Sequence, residues 1–505
     1  MKKILLLLIA AVLMTTAAQA EHLILLHTND THSQIDPAPD GKGGILRRKV
    51  LIDSVRAAEK NVLLIDAGDC VQSTLYFTLF EGEVEYALMD SLGYDIMILG
   101  NHEFDLGMEK LAKYYKNLHA ERLSANYGLE NSLLAGMFKP YTIKEYDGKK
   151  VGFFGINVEP KGMISDKNCE GVVYYDAAAI AESTANKLRN ELGCDLVVMI
   201  SHIGYDDKHG GDLPDDLYIA ENSHNIDIII GGHTHTKIDP SDPEAPRYRV
   251  PNLNGKEVLL AQNANQGPTI GYIDIDLDNL TATSKLMKID KRYDDRIDSS
   301  LVAFIAPYKE KVDELMNKPI CRSAQFMNHD DRILLMNWTS DLVLDICRKL
   351  YTEQPIDLCI VNKGGIRKEM PLGDISEGHI NSMFPFENRL VVVRILGKDL
   401  IDALEVMAGR GGDAVSKGMY VTYNDRGKIT KARLNGKDIK KNRWYTLATI
   451  DYLYGGGDYM TPLTKARLLW ADDVKYGEHM VAAVKAMGER GEMIRTDEAP
   501  RMIKK

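Results

Sequence analysis

Three shortages narrow what this chain is. Its 505 residues hold six cysteines, at 70, 169, 194, 321, 347 and 359, with no CxxC spacing, too sparse for a disulfide scaffold. Cys347 with Cys359 is a conceivable pair, and buried free thiols are the other reading. Positive charge is also short: 62 Lys and Arg stand against 73 Asp and Glu, a formal net charge of −11. Such a chain is poorly suited to gripping a nucleic-acid polymer by charge, so no nucleic-acid partner is expected. Beyond the first residues, no apolar stretch is long enough for a membrane helix, and the mature chain is expected to be soluble. Internal repeats are absent too. With 45% hydrophobic and 27% charged residues, neither disorder nor a fibrous repeat is indicated.

What is present begins with a leader. Lys2 and Lys3 precede an apolar run from Ile4 to Met14, followed by Ala18-Gln19-Ala20, the order of a secretory signal peptide. Cleavage is expected after Ala20, giving a secreted, periplasmic chain that starts at Glu21. Losing Lys2 and Lys3 takes the formal charge from −11 to −13. Metal ions can supply a local positive field for phosphates on so acidic a protein.

The remaining length exceeds what one core usually serves, which predicts two domains. Residues 22–27, 62–66, 96–99, 151–156, 196–200 and 226–230 read as buried strands, with helical spacing over 44–59 and 177–192. That alternation predicts a layered α/β domain over 21–293. Residues 294–318 read as a linker helix. A second domain, 319–505, reads as α+β, with a helix over 338–350 and strands over 358–361, 390–395 and 444–449.

Polar clusters fall directly after the predicted strands of the first domain, where open α/β sheets place their ligands. Asn29-Asp30-Thr31-His32 contains a D-x-H pair. Gly68-Asp69-Cys70 follows the next strand, then Gly100-Asn101-His102-Glu103-Phe104-Asp105, then Ser201-His202, then Gly231-Gly232-His233-Thr234-His235. Each alone is weak. Their joint order, every cluster capping an apolar run with metal-ligand residue types, is hard to produce by accident.

This order resembles the metallophosphoesterase superfamily, and GNHEFD with a long C-terminal domain resembles its 5′-nucleotidase/UDP-sugar hydrolase family. The resemblance implies a four-layer α/β/β/α sandwich followed by an α+β nucleotide-recognition domain. It implies two divalent metal ions, Zn, Mn, Co or Fe. Asp30, His32, Asp69 and His235 would surround one, and Asp69, Asn101, His202 and His233 the other, with Asp69 bridging. Two metals about 3.5–4 Å apart can clamp a phosphoryl group and activate water. His102 resembles the family's catalytic histidine, oriented by Asp105; Glu103 receives no catalytic role.

In the second domain, Asn362-Lys363-Gly364-Gly365-Ile366-Arg367 resembles the family's NGGGIR, with Lys363 in place of the first Gly. Asn362, Gly364 and Gly365 would let a ligand approach the backbone, and Arg367 would fork a phosphate. Phe386 and Tyr452 match two rings that sandwich the base in the family, and Asp458 matches a ribose contact. Arg332 lies near where the family places further arginines, in a flanking sequence that departs from its pattern.

The expected activity is release of phosphate from nucleoside 5′-monophosphates, extending to UDP-sugars, with closure of the domains about residues 294–318. The alternatives are a 2′,3′-cyclic-nucleotide 2′-phosphodiesterase with 3′-nucleotidase activity, and a non-enzymatic surface protein that binds nucleotides.

Overall fold

The computed structural model describes residues 21–207 and 213–505, so the expected leader over residues 1–20 lies outside the described residues. Alternation builds the first half. In the strand His22–Thr28, Leu23 and Leu25 face one core while Ile24 and Leu26 face another, the division a pleat imposes. This strand lies between Thr269–Asp276, antiparallel, and Val62–Asp66, parallel. Ile96–Met97 and Glu121–Arg122 extend the sheet on one side and Thr281–Lys288 on the other, making six strands.

A second six-stranded sheet has Leu196–His202 at its centre, parallel to Ile228–Ile230 and Lys149–Asn157. Leu25, Ile65, Phe153, Val198 and Ile230 share one core, which places the two sheets face to face. The helices Ile45–Ala58 and Glu83–Leu92 cover the outer face of the first sheet. Ala177–Asn186 and Asp216–Asn222 cover that of the second. The layers are α/β/β/α, as the resemblance implied.

The second half has a separate core, drawn from residues 321–494. Its main sheet is ordered Ala414–Val415, Leu358–Val361, Trp444–Ile450, Arg389–Leu396 and Arg467–Lys475, packed against Ile333–Leu350 and Tyr476–Glu489. Between the halves runs the helix Ser299–Asn317. Leu301, Ile305 and Val312 bury its apolar stripe on the first half, while Met316 meets the helix Glu377–Met383 of the second.

Local chemistry moved several boundaries. The single helix predicted over 294–318 is a short 3-10 segment, Lys291–Arg296, and then Ser299–Asn317; Asp298 separates them by accepting Ser300 N–H at 2.8 Å as an N-cap. The helix predicted over 177–192 is α-helical to Asn186 and widens to a π turn over Lys187–Glu191. Ile333 begins the helix read as starting at Trp338. The Cys347–Cys359 pair is not formed, and all six cysteines are free. Burial pushes the Cys347 thiol up to about 12 and Cys359 well above the ordinary range.

Thiol titration of the denatured, unreduced protein is therefore expected to count six free thiols, with a Tm that reductant does not change. Fewer thiols, or a Tm lowered by reductant, would show a disulfide.

Candidate active site

Five loops leave the carboxyl ends of buried strands and meet at one edge of the sandwich. The loop after His22–Thr28 zips to the loop after Val62–Asp66: Asp30 N–H donates to Gly68 O at 2.9 Å, His32 N–H to Asp69 O at 3.0 Å and Ser33 N–H to Cys70 O at 3.0 Å. Such close pairing needs glycine. A Cβ on Gly68 would lie 2.6 Å from Gly100 N, and one on Gly100 would lie 2.2 Å from Asp69 Oδ1.

Strain is concentrated in the same place. Asp30, His32, Asp69, His233 and His235 all adopt left-handed backbone, with φ from 45° to 74°. Each such residue costs about 1–3 kcal/mol and persists only where its surroundings over-determine it. Five of the seven residues expected to hold metal share this feature.

Their donor atoms converge. Those of Asp30, His32 and His235 lie within 4.8 Å of one another, as do those of Asp69, His202 and His233. His202 Nε2 is 3.1 Å from Asp69 Oδ2 and 3.9 Å from Asp30 Oδ1, and His235 Nε2 is 3.4 Å from Asp30 Oδ1. Asn101 Oδ1 is 2.9 Å from His233 Nδ1. A third group, His32, Asp69 and His102, overlaps the first two.

The donor set fits divalent cations. His202 is fully buried, its Nδ1 is held by Ala67 O at 2.6 Å, and its Nε2 faces the Asp69 carboxylate at 3.1 Å. A carbonyl that takes the Nδ1 proton leaves the Nε2 lone pair for a metal. The electrostatics agree. Burial alone would raise the carboxyls of Asp30 and Asp69, yet the surrounding histidines hold both well below their ordinary range. Burial likewise opposes charge on His202, but Asp69 and Asp30 push it up to about 10. Two buried carboxylates that recruit protons onto a buried imidazole will take a divalent cation in their place.

His102 stands beside this centre. Its Nδ1 is 2.9 Å from Asp105 Oδ2, and its backbone N–H donates to Asp69 Oδ1 at 2.8 Å. Burial works against its charge, but Asp105 and then Asp69 outweigh it and raise the imidazolium above its ordinary value.

The second half completes a cavity of about 1150 Å³. All seven residues expected to read the substrate line it: Asn362, Gly364, Gly365, Arg367, Phe386, Tyr452 and Asp458. Asp69, Asn101, His102, Asp105, His233 and His235 line it from the other side, while Asp30, His32 and His202 are buried behind. The Phe386 and His102 ring centroids are 5.9 Å apart, and Arg367 Nε donates to Ser73 Oγ at 2.9 Å across the halves. Tyr454 packs on the second core, and Arg332 Nη1 is spent on Lys363 O at 2.8 Å. The Lys363 ammonium turns to Arg410 O, so the departure from NGGGIR leaves the glycines of that loop on the cavity.

Sequence reasoning missed Glu103. Its carboxylate accepts Gly100 N–H at 2.6 Å, Asp69 N–H at 3.0 Å and Cys70 N–H at 2.9 Å, so one buried side chain fixes two of the metal-site loops. Its place inside GNHEFD was the only signal, and the motif does not say what it binds. Arg410 was also missed: it donates to Asp458 O at 2.5 Å and pairs with Asp413, from a stretch with no recognisable pattern.

A calcineurin-like phosphoesterase model matches residues 23–237, and a 5′-nucleotidase C-terminal domain model matches residues 317–465. With the site described above, this makes the chain a metal-dependent phosphoester hydrolase. Within that class it belongs to the 5′-nucleotidase family. It is 27% identical over 494 residues to a 5′-nucleotidase of Rattus norvegicus, spanning 87% of this chain and 84% of that protein. The trifunctional nucleotide phosphoesterase protein YfkN of Bacillus subtilis is also 27% identical, over 88% of this chain but 32% of its own length. Among solved structures, a 5′-nucleotidase precursor from Thermus thermophilus superposes with a TM-score of 0.82 at 26% identity, covering 96% of this chain and 99% of that one.

Glu103→Gln replaces an acceptor with an amide N–H facing backbone donors. It is expected to destabilise the protein by about 1–3 kcal/mol and to lower the metal retained after dialysis. Unchanged Tm and metal content would leave Glu103 without this role.

Proposed function

We propose that the chain hydrolyses nucleoside 5′-monophosphates outside the cytoplasmic membrane, with two divalent cations held by Asp30, His32, Asp69, Asn101, His202, His233 and His235. One observation carries the reading: convergent metal donors and an arginine-and-aromatic wall face each other across a single cavity. In this reading residues 1–20 are a leader, residues 21–293 carry the metals, 294–318 link, and 319–505 read the substrate.

A cation pair there supplies Lewis acidity for the phosphoryl oxygens and lowers the pKa of water. The chain's own side chains do the rest. Arg367, whose pKa burial pulls below its ordinary value and the carboxylates of Asp69, Asp105, Asp30 and Asp458 partly restore, forks the phosphate. His102, held protonated by Asp105, sits at the same phosphoryl group and assists the departing 5′ oxygen. The base stacks between Phe386 and Tyr452, a contact worth about 1–3 kcal/mol. Asp458 takes the ribose hydroxyls. Its carboxylate is aligned by Asn362 Nδ2 at 2.8 Å and Tyr452 Oη at 2.9 Å.

A wider substrate range has one specific support, the trifunctional name of the Bacillus subtilis relative. A panel of AMP, 3′-AMP, 2′,3′-cyclic AMP and UDP-glucose with added Mn²⁺ separates the readings. AMP is expected to be cleaved fastest, and chelation to abolish the activity. Preference for a 3′ or cyclic phosphate would replace the substrate assignment.

His102→Ala is expected to lower kcat on AMP by about 10²–10⁴-fold while metal content stays unchanged. Asp105→Asn removes an anion that favours the imidazolium. A raised His pKa keeps the charged form present to higher pH, so losing Asp105 is expected to move the alkaline fall of kcat to lower pH. A pH–rate profile with an unmoved alkaline limb would remove Asp105 from this role.

A further inference from the structure

Part of the cavity wall comes from residues 159–168, the loop that follows the strand Lys149–Asn157. Short turns stiffen it. Met163 N–H and Ile164 N–H both donate to Pro160 O, at 3.0 and 2.8 Å, and Asn168 N–H donates to Ser165 O at 2.8 Å. Ile164 is buried in the core beneath the first sheet's helices, which anchors the loop.

Its two ends touch different machinery. At the tip, Gly162 O accepts Asp458 N–H at 2.7 Å, and the Tyr452 hydroxyl lies 3.4 Å from Gly162 O and 3.3 Å from Met163 O. At the other end, Asn168 Nδ2 donates to the Asp105 carbonyl at 3.0 Å, and Asp105 in turn holds His102. The tip takes Asp458 by its amide and leaves the carboxylate to face the cavity. Only glycine suits the tip: its φ is +83°, and a Cβ would come 2.8 Å from the Tyr459 ring.

We propose that residues 159–168 are a positioning element that ties the seating of the second domain at the nucleoside end to the alignment of the Asp105–His102 pair, with Gly162 and Asn168 as its two working positions. This rests on the nucleotide reading above. A phosphoester without a nucleoside gains nothing from the Gly162 end, whereas every substrate depends on Asn168.

The test compares AMP with p-nitrophenyl phosphate, both with Mn²⁺, on the full chain. Gly162→Ala is expected to raise the KM for AMP about tenfold, less than the ~10²-fold that a 1 Å misplacement can cost, and to leave kcat/KM for p-nitrophenyl phosphate within about twofold. Tyr459→Ala removes the ring over Gly162 without straining the backbone. It is expected to act in the same direction and serves if Gly162→Ala does not fold. Asn168→Ala is expected to lower kcat on both substrates about tenfold at unchanged KM. Equal losses on both substrates from the tip variants, or no loss on AMP, would overturn the proposal; so would an unchanged kcat in Asn168→Ala. If the wild type cleaves p-nitrophenyl phosphate but not AMP, the nucleotide reading fails separately. Small-angle scattering then decides: a larger radius of gyration in Gly162→Ala supports the seating role, and identical curves refute it.

Discussion

Everything at this site depends on forcing two carboxylates, Asp30 and Asp69, out of water beside one another. Neither is more than 2% exposed. The charge of Asp69 acts on Asp30, and buried like charges are strongly unfavourable unless cations or protons sit among them. The fold meets that demand with imidazoles. His202, His235 and His32 surround the pair, and His202 carries the proton that a metal would displace. The left-handed turns at Asp30, His32, Asp69, His233 and His235 follow from the same need, because only tight turns aim neighbouring loops at one point.

The sandwich exists to hold that arrangement rigid. Its parallel strands end at one edge, and the loops that leave them are cross-bonded through their backbones before any side chain is considered. Glu103 finishes the scaffold by gathering three amide donors under a single carboxylate. The second half contributes a wall that contains Arg367, and the Arg367–Ser73 hydrogen bond carries its charge to the metal centre.

Much of this was legible in the order of residues. D-x-H, GD, GNHE, a lone His and GHTH each cap an apolar run, and strand-end loops must converge in a layered sheet. Their convergence therefore followed from the pattern. The strands were legible for the same reason, since Leu23 to Leu26 or Val197 to Ile200 admit few alternatives once buried on both faces. Helix boundaries were not, because a single capping bond such as that of Asp298 decides them. Glu103 and Gly162 were missed for a related reason. Both act through main-chain atoms whose positions come from the tertiary fold, and no residue spacing encodes an amide's direction. Cys347 and Cys359 stood open in the sequence between a pair and buried free thiols, and the structure keeps both free and buried.

The pairing of the first strand has a consequence for how the chain reaches its final form. His22 lies opposite Asp276, and His27 opposite Gly271, so a central strand of the first sheet waits for a partner about 250 residues downstream. Until that partner arrives, one edge of the strand stays open and the sheet cannot close around it. Long-range pairings of this kind slow folding, because the loop must be ordered before the contact rewards it. A polypeptide built this way stays incompletely structured through most of its synthesis. That delay leaves the nascent form in need of protection from aggregation.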